Sequence, residues 1–217
     1  MPNTPSLYID VWSDYVCPYC CLEVPVLDQF RAAYGDTIEF RWHAFELRPE
    51  PAPLLDPDSE ELNRTWTYSV LPMAEERDQT MRQPAVQPRS RKAFETVLFA
   101  RDEGRFDVVH RAIFKAFFED GLDIGDVDVL LDIAATCGLD PESLEEALNQ
   151  GRYTEAVVED ERLAGEVGIT GVPFAIVSRA GTPDEPGKAI ALRGAAPVQH
   201  FEEAVERLFP DGFPPLQ

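Results

Sequence analysis

The hydrophobic pattern at the start of the chain predicts a strand, a helix and a second strand. The run Leu7–Trp12 is rich in β-branched and aromatic residues, which is typical of a strand. Pro18 suits the first position of a helix, and Gly35 is a fitting residue for its end after about Tyr34. A second strand is predicted at Thr37–Phe45, so the opening order is β-α-β.

From about Ser59 to Val167 the apolar residues recur at helical spacing. Two buried stripes are predicted, one of Phe94, Val97 and Leu98 and one of Phe106, Val109, Ile113 and Phe117. The breakers that divide this stretch are Pro84, Pro88, Gly104, Gly121, Gly138 and Gly151. The pattern therefore predicts several helices that pack around their own apolar faces.

Strand signals return near the end of the chain. The runs Phe174–Val177 and Ala189–Leu192 flank a turn-rich segment at 181–187, which predicts a hairpin. A last amphipathic helix carries Val198, Phe201, Val205 and Leu208 on one side. The sequence thus predicts an α/β unit of residues 1–58 and 168–217, with an all-helical insertion at 59–167.

Composition supports one sizeable core and excludes some partners. The chain has 217 residues, of which 44% are hydrophobic, and its 19 basic and 40 acidic side chains give a net charge of -21. The acids are spread along the chain without forming one long block. Because the net charge is strongly negative, phosphate backbones and anionic membrane surfaces should be repelled. We therefore expect no nucleic acid and no membrane among its partners.

The first residues, Met1–Ser6, lack the basic region and the apolar run of a signal peptide. No uncharged apolar stretch approaches the roughly 20 residues that a membrane helix needs. We therefore expect a cytoplasmic protein. Thiols are normally kept reduced in that compartment, where cysteine pairs tend to be catalytic or redox-sensing.

The tetrad Cys17-Pro18-Tyr19-Cys20 places two thiols at the start of the first helix. A residue before proline is pushed out of the α region, so Cys17 should be the N-cap. There the free amides of Tyr19 and Cys20 and the helix dipole could stabilise a thiolate on Cys17. We therefore expect Cys17 to ionise readily and to be both a nucleophile and a good leaving group.

Two other cysteines lie within reach of Cys17 on this helix. Cys20 is three residues away and Cys21 four, so both share a face with it. We favour Cys20 as the resolving cysteine because its approach is shorter, and we interpret Cys21 as a small buried hydrophobe. Cys137 is predicted to lie in a helix and in or near the protein core. The roles of Cys21 and Cys137 stay open.

The cysteine pair has two simpler interpretations. A C-x-x-C pair can bind zinc, but a closed structural site needs four ligands and this chain has no second pair. We therefore predict no metal site. Two buried structural cysteines would account for the thiols, but they would explain neither the proline between them nor their place at the helix cap.

Three stretches carry a resemblance to a known family: SDYVCPYC at 13–20, HAFELRP at 43–49 and GITGVPF at 168–174. With the element order, they resemble the thioredoxin fold as elaborated in the DsbA-like family. The likeness covers essentially the whole chain and is greatest to the FrnE branch, which is related to 2-hydroxychromene-2-carboxylate isomerases and kappa-class glutathione transferases. It implies a thioredoxin-like fold (β-α-β, then β-β-α) that holds the helical insertion. His43 is interpreted as a packed strand residue.

The resemblance also implies roles at the site. Cys17 and Cys20 would be the catalytic pair, with Pro18 and Tyr19 modulating them. Pro173 would be cis and face the cysteines, so that the backbone of Val172 is offered to an extended substrate. Related oxidoreductases place an acid beneath the cysteines, and Asp10 is the candidate. One extra residue before the motif leaves the direction of its side chain open.

The leading hypothesis is a cytoplasmic thiol-disulfide oxidoreductase that acts through a mixed disulfide on a thiol or disulfide substrate, either protein or small molecule. No bound cofactor is expected. The Pro-Tyr pair between the cysteines also resembles glutaredoxins, so glutathione is a possible redox partner.

Two alternatives are a glutathione-dependent isomerase or transferase and a redox-regulated chaperone or binding module. The related isomerases carry serine where this chain has Cys17, which disfavours the first. No large exposed apolar surface is evident, which disfavours the second. The sequence leaves open the substrate, the reduction potential and direction of electron flow, the recycling partner and the oligomeric state.

Overall fold

A computed structural model describes residues 5–180 and 188–213 of the chain. In this part, the sheet comprises β1 (Leu7–Ser13), β2 (Ile38–Ala44), β3 (Phe174–Arg179) and β4 (Ala189–Arg193). The strand order is β2-β1-β3-β4. β1 is parallel to β2 and antiparallel to β3, and β3 is antiparallel to β4. The predicted strands are confirmed.

The helices also follow the predicted order. They are α1 (Pro18–Tyr34), α2 (Glu60–Thr65), α3 (Leu71–Glu76), α4 (Arg91–Asp102), α5 (Phe106–Lys115), α6 (Val127–Thr136), α7 (Pro141–Asn149), α8 (Thr154–Glu166) and α9 (Val198–Leu208). Thr37, the first residue of the predicted second strand, belongs instead to a 3-10 turn at Gly35–Thr37. π-helical turns at Trp66–Val70 and Ala116–Asp120 had no sequence signal.

One face of the sheet packs on the two helices that come from opposite ends of the chain. Alternate residues Leu7, Ile9 and Val11 of β1 are fully buried in a cluster with Phe30 of α1 and Phe201 of α9. The period of two in a strand places these three side chains on one face, where both helices exclude water from them. The α/β layer is therefore held by residues far apart in sequence.

The helical insertion and the cysteine motif share a second, larger cluster. Buried residues from both predicted stripes, including Phe94 and Phe117, pack in the same cluster as Tyr15, Cys17 and Cys20. The insertion therefore forms a wall beside the cysteines. The division into 1–58 plus 168–217 and 59–167 stays a prediction.

The turn predicted at 181–187 lies outside the described residues, although β3 and β4 pair as a hairpin would require. Among the residues that the structure describes, no helix combines the length and apolarity needed to cross a membrane.

Candidate active site

The cysteine motif begins where β1 gives way to α1. Cys17 is the N-cap, with extended backbone angles (φ -92°, ψ 113°), and Pro18 follows at the first helical position. The amides of Cys20 and Cys21 donate to the carbonyl of Cys17 at 3.1 and 3.3 Å. This is the predicted start of the helix, and it brings Cys17 and Cys20 together across one turn.

The sulfur of Cys17 has a different partner from the one expected. Within the described residues, no helix amide donates a hydrogen bond to it. Its thiol instead donates to the carbonyl of Val172 at 3.6 Å, because the side chain is directed to the loop before β3. The Val172–Pro173 bond is cis, the isomer that the resemblance implied. This loop therefore lies opposite Cys17.

Cys20 has its own hydrogen bond. Its side chain is buried, and its sulfur accepts from the backbone amide of Asp14 at 3.4 Å. Burial raises the pKa of the Cys20 thiol well above its usual value, and the hydrogen bond with Cys17 and the charge of Cys17 raise it further. Both cysteines are free thiols here. The Cys20 thiol therefore stays protonated at neutral pH.

Tyr19 connects the motif to the helical insertion. Its hydroxyl and that of Ser69, in the first π-helical turn, lie 2.7 Å apart and form a hydrogen bond. Cys21 packs against the larger cluster, and burial raises the pKa of its thiol to about 12, which makes it a weak nucleophile. Cys137 ends α6, with its thiol 3.9 Å from the carbonyl of Val108. Both side chains are only partly buried and pack against the larger cluster, and their roles stay open.

Asp10 has other partners than the predicted one. Its carboxylate accepts from the Arg41 guanidinium at 2.8 Å and is 2.9 Å from Nε2 of His43. In the described part of the chain it makes no hydrogen bond to either cysteine. Side chains alternate along a strand, so Asp10 lies on the opposite face of β1 from Ile9 and Val11, which pack against α1.

His43 joins the sheet to helix α8. Its Nδ1 is 2.8 Å from the carboxylate of Asp160, and its ring stacks on Trp12 with centroids 4.5 Å apart. Burial lowers the pKa of His43, but its hydrogen bonds to Asp10 and Asp160, with their charges, outweigh burial and raise the pKa above its usual value. His43 is thus a packed strand residue, as predicted.

Asp14 is the buried acid that sequence reasoning missed. Its side chain is fully buried, and its carboxylate accepts from the amides of Leu47 at 2.7 Å and Val16 at 3.3 Å. Burial raises the pKa of Asp14 to about 6, against the opposing effect of the hydrogen bonds from Leu47, Ser90 and Val16. The sequence shows an acid in a loop before a helix, but nothing in it indicates burial.

A second missed pair lies behind the same loop. The Tyr15 hydroxyl is 2.9 Å from Nδ1 of His110, a buried residue of α5. Burial lowers the pKa of His110 to about 3, so its imidazole is neutral at physiological pH. The hydrogen bond fixes the loop to the helical insertion. The spacing of His110 on an apolar helix face predicts burial but not its partner.

The chain is similar to proteins of a known family. The model of the DSBA-like thioredoxin domain matches residues 8–206. The uncharacterized protein YwbO of Bacillus subtilis (strain 168) is 34% identical over 189 residues, which cover 85% of this chain and 94% of YwbO.

Three solved structures share the fold. A probable DsbA oxidoreductase from Streptomyces coelicolor has a TM-score of 0.76 at 22% identity, covering 97% of this chain and 93% of that one. A 2-hydroxychromene-2-carboxylate isomerase has a TM-score of 0.74 at 18% identity, with coverage of 94% and 97%. The cytosolic disulfide reductase DsbM from Pseudomonas aeruginosa has a TM-score of 0.65 at 20% identity, with coverage of 93% and 99%. With its thioredoxin-like sheet and inserted helices, the chain belongs to the DSBA-like thioredoxin domain family.

Proposed function

We propose that the protein is a thiol-disulfide oxidoreductase in which Cys17 is the nucleophile and Cys20 the resolving cysteine. The observation that supports this most directly is the pair of neighbouring free thiols at the start of α1. Their environments differ, because the thiol of Cys17 donates to the Val172 carbonyl, whereas the sulfur of Cys20 accepts from the amide of Asp14 and burial raises the pKa of its thiol. A reactive first thiol and a protected second one suit a two-step exchange.

In the first step, the thiolate of Cys17 attacks one sulfur of a substrate disulfide. That S–S bond breaks, a mixed disulfide forms, and the other substrate sulfur leaves as a thiolate and takes up a proton. Cys20 then loses its proton and attacks the sulfur of Cys17. The Cys17–Cys20 bond forms and the second substrate thiol is released. The substrate has gained two electrons and two protons, which the protein has lost.

Return to the dithiol form requires a thiol reductant. Two molecules of glutathione can supply the electrons and become glutathione disulfide, and no bound cofactor takes part. The same steps run in reverse when the oxidised protein meets a substrate dithiol, so relative reduction potentials set the direction. We place the reaction in the cytoplasm, which the fold shared with a cytosolic disulfide reductase supports.

Single cysteine variants test this proposal. Cys17→Ser should abolish disulfide reduction, whereas Cys20→Ser should accumulate mixed disulfides that mass spectrometry detects on Cys17. Cys21→Ser is the matched control, because it removes a thiol from the adjacent position and should keep wild-type turnover. Unchanged turnover in both Cys17→Ser and Cys20→Ser would refute the proposal. Stoichiometric glutathione binding with full activity in Cys20→Ser would indicate a glutathione-dependent isomerase or transferase instead.

A further inference from the structure

Two carboxylates meet at the loop that follows β2. Glu46, in that loop, has a side chain that is only 2% exposed, and the side chain of Glu161, in α8, is 23% exposed. Both face one guanidinium, that of Arg91 at the start of α4. Nε of Arg91 donates to the carboxylate of Glu46 at 2.6 Å, and Nη2 lies 3.6 Å from that of Glu161. One cation therefore serves two acids that are largely removed from water.

The charges around this pair do not balance. In the described part of the chain, Arg91 is the only basic side chain within ion-pair distance of either acid. When two carboxylates share a site, ionisation of both is unfavourable, so one keeps its proton to a higher pH than usual. Burial, the hydrogen bond with Glu46 and the charge of Glu46 raise the pKa of Glu161 to about 7, against the opposing effect of the Glu46 amide and Arg91.

The other titratable groups nearby do not relieve the pair. Asp14, in the loop after β1, is close enough to interact with the charge of Glu46. Glu95 of α4 adds a further acid near the Arg91 guanidinium, and it is bound by Lys92 at 2.7 Å.

On α8 itself, Asp160 precedes Glu161 and is held by His43 at 2.8 Å. Both basic groups, Lys92 and His43, are thus occupied by acids of their own. A shared proton is the remaining way to reduce the repulsion between Glu46 and Glu161.

The pair connects two segments that border the cysteines. The backbone amide of Glu46 donates to the carboxylate of Glu161 at 3.2 Å. The amide of the residue after Glu46 donates to the carboxylate of Asp14, in the loop that leads to the cysteines. At its other end, α8 leads into the loop whose Val172 carbonyl accepts from Cys17. A change in the distance between the two carboxylates would therefore displace segments on both sides of the cysteine motif.

We propose that Glu46 and Glu161 share one proton and form a pH-sensitive clamp that holds α8 against the loop after β2. At acidic pH the shared proton forms a hydrogen bond between the two carboxyl groups, and the clamp is closed. When that proton is lost, two negative charges face the single guanidinium of Arg91, and their repulsion loosens α8 from the loop. The inference goes beyond the proposed function, because it concerns the packing around the cysteines and not the exchange reaction.

Amide hydrogen exchange of the reduced protein at pH 6 and pH 8.5 tests the clamp. Because the pKa of Glu161 is raised from 4.5 to about 7, the stabilisation is fully present below about pH 4.5 and is lost as pH rises through about 7. Between pH 6 and pH 8.5, opening should become about tenfold more favourable. The protection factors of amides in α8 and at 45–47, which correct for faster intrinsic exchange at high pH, should fall by that factor.

Two variants remove one of the two charges. Glu161→Gln and Glu46→Gln each leave a single carboxylate beside Arg91, so the tenfold contribution should disappear in both. Glu159→Gln is the matched control, because it makes the same change on α8 at an exposed carboxylate that pairs with Arg162, and it should keep the wild-type fall. Circular dichroism at both pH values verifies folding, and if one glutamine variant is not folded, the other decides the test.

His43 and Asp14 border the same segments, and their titration would lower protection in the wild type and the variants alike. A fall of equal size in the wild type and in both glutamine variants would assign the effect to those groups and overturn the clamp. A fall that only one of two folded variants removes would mean that a single acid titrates without sharing a proton, which also overturns it. Because no substrate is present, none of these results bears on the proposed disulfide exchange.

Discussion

Two aspartates four positions apart, Asp10 and Asp14, sit in contrasting regions of the molecule. Asp10 lies on β1 beside a cation, Arg41, and an imidazole, His43. Asp14 is fully buried in the loop after β1, and the hydrogen bonds to its carboxylate come from neutral groups, including the amides of Leu47 and Val16. The family resemblance pointed to Asp10 as the acid near the cysteines. It is Asp14, however, whose backbone forms hydrogen bonds with both Cys17 and Cys20.

The difference teaches that the partners of an acid set its role more than its position near a motif does. In the Asp10 region (Asp10, Arg41, His43 and Asp160), the hydrogen bonds and charges of the two carboxylates outweigh burial and raise the pKa of His43. In the Asp14 region (Asp14, Val16, Leu47 and Ser90), burial raises the pKa of the carboxyl to about 6 against the hydrogen bonds. The Asp10 region stabilises the charged form of an imidazole, whereas burial in the Asp14 region destabilises the charged form of a carboxyl. The stability of each region should therefore depend on pH in a different range.

The largest expected effect is the pH dependence of stability from Asp14. Because its pKa is raised from 3.8 to about 6, the folded protein binds more protons than the unfolded chain between those values. The resulting stability is present below about pH 4 and is lost as pH rises through about 6. Its size is about 3 kcal/mol, at 1.36 kcal/mol for each unit of pKa.

Urea unfolding of the wild type and Asp14→Asn from pH 4 to 7 measures this effect. The difference between their free energies of unfolding should change by that amount across the range. Asp140→Asn is the control, because the hydrogen bonds from Ser143 lower the pKa of this exposed N-cap carboxyl of α7, so its removal should give no step near pH 6. A difference that stays constant with pH would show that the Asp14 carboxyl is not held in the way described.

The second effect is on catalysis. The carboxylate of Asp14 fixes the loop after β1, and the backbone amide of the same residue donates to the sulfur of Cys20. Removal of the carboxylate should therefore disturb the resolving step. We expect Asp14→Asn to slow resolution of the mixed disulfide about tenfold, since small misplacements of reacting groups are costly. Asp10→Asn should stay within about twofold. Quenched-flow trapping of the mixed disulfide measures both rates.

A pH profile separates this role from a general loss of folding. In the wild type, the resolving rate should show an inflection near pH 6, where Asp14 ionises. That inflection should be missing in Asp14→Asn while its circular dichroism stays native. If the variant keeps the inflection, another group is responsible for it.

A smaller effect is expected from His43. Its hydrogen bonds to Asp10 and Asp160, with their charges, outweigh burial and raise its pKa, so the protonated imidazole stabilises the folded state. This contribution is fully present below the unfolded pKa of about 6.5 and is lost as pH rises through the higher folded value. His43→Gln should remove that loss and cost about 1 to 2 kcal/mol at pH 6, since hydrogen bonds to charged groups are involved.

Thermal unfolding from pH 6 to 9 checks this prediction. His200→Gln is the control, because it substitutes a histidine of α9 that lies outside the Asp10 region. If His43→Gln loses stability equally at every pH, the imidazole acts only by packing on Trp12.

The fold was predictable because its signals are local. The strands, the helix start at Pro18 and the glycine breakers follow from periodicity and backbone geometry, and the structure bears them out. The hydrogen-bond partner of the Cys17 thiol was not predictable from the geometry of the helix start, because the Val172 carbonyl lies 155 positions from Cys17 in sequence. Burial of Asp14 is equally hidden, since it arises when the loop before Leu47 and the start of α4 close over a polar residue.

The smallest expected effect concerns Tyr19, which connects the motif to the insertion. Tyr19→Phe removes the hydroxyl that bonds to Ser69, and a net loss of about 0.5 to 1 kcal/mol is expected for one such hydrogen bond. Ser69→Ala removes the other partner, so a double-mutant cycle by urea unfolding isolates the pair. We expect the double variant to lose little more than either single variant, and turnover to stay within about twofold. Full additivity would mean that the two hydroxyls do not interact in solution, and the insertion would then be held to the motif by its other contacts, such as the hydrogen bond from Gln79 to the Cys21 carbonyl.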